Sequence, residues 1–241
     1  MQASHAAGCA ALLISSLLLT SCGLQDIAVP FPDRTQTSAI APSFGLPGMP
    51  LPGFGERDPL PPAEQRCRKR LKRLGVSFRD LPPIRETATC GIDHPVEVAA
   101  LARGVKLTPK ATLTCDMAEE MARWVQGDLA PAARTRYLTG IAEIRQTSSY
   151  SCRRIRGTTR WSSHSTGNAI DIGAIKLKNG HVIDVRRQGL FAFRARSLLN
   201  SARGKACGHF NTVLGPGYDR DHRDHFHFDL RERRSNRRFC S

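Results

Sequence analysis

Two short stretches of the sequence combine imidazole and carboxylate groups at spacings that suit metal chemistry. The first stretch, residues 162–172, contains His164, then Gly167, and then Asp171 inside an apolar run. An ionised carboxylate in such a run is costly unless a cation or several hydrogen-bond donors meet it. Because Gly167 can turn the chain at positive φ, the stretch predicts a turn that brings an imidazole close to a carboxylate.

The second stretch, residues 224–229, alternates polar and aromatic residues. A strand from 225 to 230 would place His225, His227 and Asp229 on one face and the apolar side chains on the other. If the two stretches form neighbouring strands, His164, Asp171 and one later histidine can converge on one cation. Two imidazoles and one carboxylate suit zinc and leave a fourth position for water, which is the catalytic pattern. Alternatively, the histidines are surface residues and Asp171 caps a turn.

A resemblance to known families rests on these motifs. Ser162-x-His164-x-x-Gly167-x-Ala169-x-Asp171 resembles the signature of the D-Ala-D-Ala metallopeptidases. His225-x-His227 is similar to the His-x-His of the wider group that includes lysostaphin-type endopeptidases and the hedgehog domain. The chain from about Cys67 to Cys240 resembles the bacterial extensin-like C-terminal domain, with similar runs at residues 150–153 and 222–227.

The resemblance implies roles for particular residues. The zinc ligands would be His164, Asp171 and His227, Arg153 would stabilise the oxyanion, and Ser162, His222 and Asp229 would orient ligands or line the cleft. The carboxypeptidases have glutamate three residues before the last ligand, whereas this chain has Asp224 there. The general base is therefore either Asp224 or His225, and the spacing along a strand favours His225.

The first 62 residues predict export and a tether. Residues 10–21 form an apolar run too short to span a bilayer, and Leu19-Thr20-Ser21-Cys22 resembles a bacterial lipobox with Cys22 as the lipidation site. Residues 1–22 would then be a signal peptide and residues 23–62 a flexible, proline-rich tether. The protein would lie on the periplasmic side, anchored by lipid to a bacterial outer membrane. Because residues 1–10 contain no Lys or Arg, a cleaved signal and an uncleaved anchor remain alternatives.

Residues 63–241 predict one α+β domain. A helix over residues 64–74 ends at Gly75, and a capping box at Asp116–Glu119 opens a second helix with Trp124 on its core face. The remaining predicted elements are a strand over 141–150, a hairpin of 169–177 with 181–185, and a helix over 190–202. Helices would thus precede a small antiparallel sheet that carries the metal site, and the resemblance implies a hedgehog/DD-peptidase-like fold.

Six cysteines remain in the folded part after Cys9 and Cys22 are set aside. An even number in an exported chain predicts three disulfides, and no pair has CxxC spacing, which argues against a thiolate zinc site and a thioredoxin-like role. Our pairing hypothesis, based on nesting, is Cys90–Cys115, Cys152–Cys207 and Cys67–Cys240.

The charge and the motifs together predict a function class. A formal net charge of +15 suggests an anionic neighbour such as a cell-wall polymer or phospholipid head groups, and nothing resembles a recognition helix for nucleic acid. The resemblance implies a zinc-dependent hydrolase that cleaves an amide bond in the cross-links or stem peptides of peptidoglycan. The alternative is a non-catalytic zinc module that binds peptidoglycan or a partner.

Overall fold

The computed structural model describes residues 59–186, 188–233 and 237–241. The predicted signal peptide, Cys22 and nearly all of the tether lie outside the described residues and stay predictions. Within those ranges, no helix is both long and apolar enough to cross a membrane.

The helices begin and end close to the residues that local chemistry favours. Helix α1, Pro62–Arg73, has a proline in its first turn, and Gly75 follows its end with a φ of 71°. Helix α2, Cys115–Trp124, is capped by Thr114, whose Oγ accepts a hydrogen bond from the Met117 amide at 3.3 Å. The predicted capping box at Asp116 is therefore wrong, because the cap lies two residues earlier. The helices are α1 Pro62–Arg73, α2 Cys115–Trp124, α3 Ala130–Tyr137 and α4 Phe193–Ala206, with a π-helical segment Val125–Leu129 joining α2 to α3.

Most of the strands form one mixed nine-stranded sheet. The strands are β1 Ser77–Asp80, β2 Ile84–Thr87, β3 Cys90–Ile92, β4 Val96–Leu101, β5 Val105–Leu113, β6 Ile141–Ser148, β7 Ala169–Leu177, β8 Val182–Asp184, β9 Thr212–Leu214, β10 Phe226–Asp229 and β11 Phe239–Cys240. The order in the sheet is β1-β4-β5-β6-β7-β10-β9-β11, and β8 pairs with the part of β7 that β10 leaves free. Strands β2 and β3 form a separate pair.

The α+β class is confirmed, but two details of the predicted sheet are wrong. Five strands precede α2, so the helices do not come first. The sheet is also not purely antiparallel, because β5–β6 and β9–β11 are parallel pairs. The connection from β5 to β6 contains α2 and α3, and such a crossover is long enough to return the chain in the same direction.

Strand β7 positions the candidate site. Along one edge it pairs with β6, and along the other it pairs first with β10 and then with β8. The antiparallel register with β10 places His227 directly opposite Asp171. Side chains at directly opposed positions share one face of a sheet, so the fold itself brings these two residues together.

The opposite face of β10 is fixed by the core. Phe228 is fully buried, with the Trp124 ring edge-on at 5.2 Å and the Phe210 ring stacked at 4.8 Å. Trp124 Nε1 donates to the Ala202 carbonyl at 3.0 Å, which ties α2 to α4. Because the aromatic residues of β10 must face this core, His227 and Asp229 must face away from it. The predicted core position of Trp124 is confirmed.

Three disulfides are present and use the six predicted cysteines, but the predicted pairing is wrong. The observed pairs are Cys67–Cys115, Cys90–Cys152 and Cys207–Cys240. The first joins α1 to the beginning of α2, and the third joins the end of α4 to β11. Packing of neighbouring elements, rather than nesting along the chain, decides which sulfur atoms meet.

Candidate metal centre

Three side chains converge on one point beside β7 and β10. His164 Nε2 lies 3.2 Å from Asp171 Oδ1 and 3.3 Å from His227 Nδ1, and His227 Nδ1 lies 2.8 Å from Asp171 Oδ1. His164 and Asp171 are buried, with 0% and 4% exposure. These are the three residues that the sequence predicts as ligands, and their spacing would suit one small cation.

A short 3-10 helix, Ser163–Thr166, positions His164. At the beginning of this 3-10 helix, the Ser162 hydroxyl accepts a hydrogen bond from the His164 amide at 3.4 Å. Gly167 ends the helix with a φ of 67°. The positive φ favours glycine at this position, and a Cβ atom on Gly167 would also crowd the Ile92 side chain and lie 3.2 Å from the Thr114 backbone nitrogen. The motif's glycine thus sets the direction in which the chain enters β7.

Hydrogen bonds on the outer side of each imidazole set which nitrogen faces the centre. His164 Nδ1 lies 2.6 Å from the Ser149 carbonyl oxygen, which can only accept a hydrogen bond. His164 Nδ1 therefore carries the proton, and the lone pair of Nε2 faces the centre. His227 Nε2 lies 3.2 Å from Asp229 Oδ2, which favours a proton on Nε2 and leaves Nδ1 facing the centre. Such outer partners are typical of histidines that bind metals.

Further residues hold Asp229 in place. The Ser163 hydroxyl donates to Asp229 Oδ2 at 3.2 Å, and the Arg231 amide donates to Asp229 Oδ1 at 2.9 Å. The Arg231 side chain in turn donates from Nε to the Ser163 hydroxyl and from Nη2 to the Trp161 carbonyl. A connected set of hydrogen bonds therefore extends from His227 to the loop before the 3-10 helix.

The pKa shifts follow from the close approach of a carboxylate and two imidazoles. Burial raises the pKa of Asp171, but the interactions with the rings of His164 and His227 in their protonated forms outweigh it and hold the pKa well below its usual range. Burial lowers the pKa of His227, yet hydrogen bonds to Asp171 and Asp229 raise it to about 9. Either a proton or a metal cation can supply the charge. Two imidazole nitrogens and one carboxylate oxygen fit zinc.

The two candidate general bases form a pair. The structure begins β10 at Phe226, so the predicted strand start at His225 is wrong by one residue. The His225 ring still faces the centre, with Nε2 3.8 Å from Asp171 Oδ1 and Nδ1 3.0 Å from Asp224 Oδ1. The hydrogen bond from His225 lowers the pKa of Asp224. Asp224 can therefore orient His225.

Arg153 and His222 line the approach to the centre. Arg153 Nη2 donates to Asp171 Oδ2 at 3.3 Å, and its side chain is 46% exposed. The His222 ring lies 5.3 Å from the His225 ring and 5.8 Å from the His227 ring, and its Nδ1 contacts Asp219 Oδ1 at 2.6 Å. Both side chains therefore lie at the edge of the cluster.

A cavity of about 690 Å³ opens onto the cluster. Tyr218 and Phe239 contribute a half-exposed aromatic wall to it, with their rings 5.6 Å apart. A larger cavity, about 1240 Å³, lies beyond Ser162 and Ser163 but contains none of the three convergent side chains, so its size does not make it the chemical site.

Several residues of the site were not predicted from the sequence. Ser163 lies inside the recognised motif and could have been found from its position. The Ser149 carbonyl carries no signal in the sequence, since any residue supplies a carbonyl. The other missed residues lie in separate segments that only the fold brings to the cleft, namely Arg231, Tyr218 and Phe239.

Comparison with known proteins gives one match. A family model described as Extensin-like protein C-terminus matches residues 65–241. No curated protein and no solved structure matches the chain. The match covers well over half of the chain, including the cleft and the three disulfides, and it confirms the extensin-like resemblance.

Proposed function

The chain belongs to the extensin-like C-terminal family, and from this premise we propose that it is a zinc-dependent hydrolase of peptidoglycan that cleaves an amide bond in cross-links or stem peptides. The observation that carries the proposal is the convergence of His164 Nε2, Asp171 Oδ1 and His227 Nδ1 within 3.3 Å of one another. The motifs resemble those of the D-Ala-D-Ala metallopeptidases, which supports the same class and, as part of the proposal, a hedgehog/DD-peptidase-like fold.

The three convergent side chains would hold zinc. When bound, zinc would supply Lewis acidity and bring the pKa of water to about neutral. The outer hydrogen bonds to Ser149 and Asp229 hold one nitrogen of each imidazole towards the point where the three side chains converge. Because the ligand set comes from only three side chains, it leaves room for water or substrate, as in catalytic rather than structural sites.

The residues around the ligands have roles in proton transfer and charge stabilisation. His225 would accept a proton from the attacking water at Nε2 and return it to the leaving amine, while Asp224 holds the proton at Nδ1. Arg153 would donate hydrogen bonds to the carbonyl oxygen as negative charge develops there. Its present partner, Asp171 Oδ2, already fixes the guanidinium at the edge of the centre.

The part of the cleft around Arg233 suits a carboxylate of a peptide substrate. Arg153, Arg160 and Arg233 line the cleft, and the Arg233 guanidinium is held by the Asn211 carbonyl and the Thr212 hydroxyl. Since these acceptors are neutral, they leave the charge of Arg233 available to an anion. The net charge of +15 would also favour association with an anionic wall polymer.

The decisive experiment incubates zinc-loaded protein with purified muropeptides and follows the products by mass spectrometry. The proposal expects hydrolysis products that gain one water and expose a new amine, and it expects them to disappear with His225→Ala. Protein that binds zinc and muropeptides but yields no product in any muropeptide class would refute catalysis and favour the non-catalytic module. The masses of the products also distinguish carboxypeptidase, endopeptidase and amidase activity.

Export and lipid anchoring are a separate part of the proposal. Cys22 follows an apolar run and a lipobox-like sequence, and the tether would allow the domain to reach the wall. Cys22→Ala should move the protein from the membrane fraction to the soluble periplasmic fraction. Unchanged membrane fractionation would contradict anchoring by lipid.

A further inference from the structure

Exposed apolar side chains concentrate at one end of the domain. Among the described residues six large apolar side chains are exposed, and two of them, Tyr218 and Phe239, line the cleft. The other four form what we name the α3–α4 patch: Leu138, Leu190, Phe191 and Phe193, with exposures of 92%, 79%, 90% and 65%. Large apolar side chains are usually buried, so a group of exposed ones points to an interaction surface.

Contacts between α3 and α4 place Leu138 at the same end as the phenylalanines. Arg136 Nε donates to the Ser197 hydroxyl at 2.8 Å, so the end of α3 lies beside the first turns of α4. Leu138 directly follows α3 and adopts a left-handed conformation with a φ of 53°. That conformation is uncommon for residues other than glycine. The chain therefore ends α3 with a leucine directed into solvent.

Specific contacts hold the loop before α4. Arg196 Nη2 donates to the Leu190 carbonyl at 2.6 Å, and its guanidinium lies over the Phe193 ring at 4.8 Å. The Ala192 amide donates to the Gly189 carbonyl at 3.1 Å. Because these hydrogen bonds hold the backbone, Leu190 and Phe191 are exposed on a loop of defined conformation.

Positive charge surrounds the α3–α4 patch. Within the described ranges, five arginines of α3, of the first turns of α4 and of the loop after β8 form no ion pair with a carboxylate; they are Arg134, Arg136, Arg186, Arg194 and Arg196. Arg196 contacts carbonyl oxygens and an aromatic ring, which leave its charge uncompensated. Between residues 182 and 206, Asp184 is the acidic residue. The balance is therefore positive.

We propose that the α3–α4 patch docks the domain onto an anionic phospholipid surface. Aromatic and leucine side chains can enter the interface of a bilayer, while the surrounding arginines contact lipid phosphates. The cores of protein interfaces are depleted in charge and typically cover about 800 Å² per partner. Four apolar side chains inside a group of arginines match a charged lipid surface better. This docking is independent of the hydrolase proposal, because no residue of the patch belongs to the metal centre.

A tryptophan at the patch reports its own contact with lipid. The full chain carrying Cys22→Ala, which removes the proposed lipidation site, receives either Phe191→Trp or the matched control Ala88→Trp in the exposed turn between β2 and β3. Each protein is mixed with vesicles of phosphatidylcholine and phosphatidylglycerol at 3:1 that carry brominated acyl chains. The fluorescence of the native Trp124 and Trp161 is measured in the parent protein, which carries Cys22→Ala alone, and is subtracted. We expect quenching at position 191 and none at position 88.

Charge reversal tests the contribution of the arginines. Arg186→Glu with Arg194→Glu should weaken partitioning, read from the quenching at position 191, by roughly 30-fold or more, since each basic residue near such a surface contributes about 1 kcal/mol. Lys69→Glu with Lys72→Glu on α1 makes the same change in net charge away from the patch and should have a much smaller effect. Pure phosphatidylcholine vesicles should quench little.

Several results would overturn the proposal. Absent quenching at position 191, or equal quenching at positions 191 and 88, would show that the patch does not meet lipid. Equal losses from the two charge-reversal pairs would reduce the effect to net charge alone. A dimer in sedimentation equilibrium that Phe191→Ser converts to monomer would instead assign the patch to a second copy of the chain.

Discussion

Asp171 and Glu119 are both buried carboxylates, but their neighbours differ in kind. Glu119 is 5% exposed and accepts hydrogen bonds from Arg70 Nε at 2.7 Å and from Arg123 Nη2 at 2.6 Å. It also lies near Cys67 and Asp116, so that by distance alone this group is a second candidate metal site. The sulfur of Cys67, however, is bonded to Cys115 and cannot act as a thiolate ligand.

The difference shows how partner chemistry separates a structural ion pair from a candidate metal centre. Guanidinium groups bring both charge and protons, so Glu119 needs nothing further. Asp171 Oδ1 instead faces ring nitrogens of His164 and His227 whose outer positions already have acceptors. The Arg153 guanidinium contacts the other oxygen of Asp171. At Asp171 the charge can therefore come either from a proton on His227 or from a metal cation.

The largest expected effect is the loss of zinc when a ligand is removed. His227→Ala should reduce bound zinc from about one per chain to less than about a tenth, because two remaining ligands bind weakly. Glu119→Gln, the matched change at the other carboxylate, should leave zinc unchanged. Elemental analysis with circular dichroism as a check of folding decides the comparison. Zinc retained by His227→Ala would show that the ligand assignment is wrong.

The next effect separates ligands from the general base. His225→Ala should keep zinc and lower turnover of muropeptides by about 10²–10⁴-fold, because it removes proton transfer. Asp224→Asn should lower turnover less than His225→Ala does, since it alters only the orientation of His225. Turnover is measured by mass spectrometry of product formation at saturating zinc. A larger loss for Asp224→Asn than for His225→Ala would assign the base to Asp224.

Zinc affinity should depend on pH because a proton competes for His227. Its pKa is raised to about 9, so below that pH zinc must displace one proton, and affinity should rise about tenfold per unit between pH 6.5 and 9. In the metal-free protein the same proton stabilises the fold fully below about pH 6.5, and this contribution is lost as the pH rises through 9. Competition titrations with a chelator at several pH values measure the slope. A flat profile would contradict competition at His227.

The smallest effect concerns stability at Glu119. Burial raises the pKa of Glu119, but hydrogen bonds from Arg123 and Arg70 outweigh it and lower the pKa. The ionised group therefore stabilises the fold above its unfolded pKa of about 4.3, and this stability is lost as the pH falls through the folded pKa. Glu119→Gln should lower the unfolding free energy by about 1–3 kcal/mol at neutral pH and weaken its acid dependence. Urea unfolding of both proteins at pH 7 and pH 3 measures the two effects. If the unfolding free energy of Glu119→Gln changed between the two pH values as much as that of the wild type, the result would contradict this account.

The motifs were readable from the sequence because local spacing decides them. A glycine three residues after His164 and the alternation of residues 225–230 are properties of short segments, and they predicted the turn and the strand. The choice of His227 over His225 as the third ligand came from the family resemblance. The hairpin around Asn179 and Gly180 was found for the same reason, since that dipeptide favours a two-residue turn and β7 and β8 do flank it. The beginning of α2 was misplaced because Asp116 and Thr114 are both good caps, and only the fold decides between them.

What the sequence determined by itself was therefore the chemical inventory: two imidazoles and a carboxylate for one centre, six cysteines for three disulfides, and apolar periodicity for an α+β core. What only the tertiary structure decided was which atoms meet. The register that sets His227 opposite Asp171, the Ser149 carbonyl that orients His164, and the pairing of Cys67 with Cys115 all join segments far apart in the chain. Such contacts depend on how the whole core packs, and no local pattern encodes them.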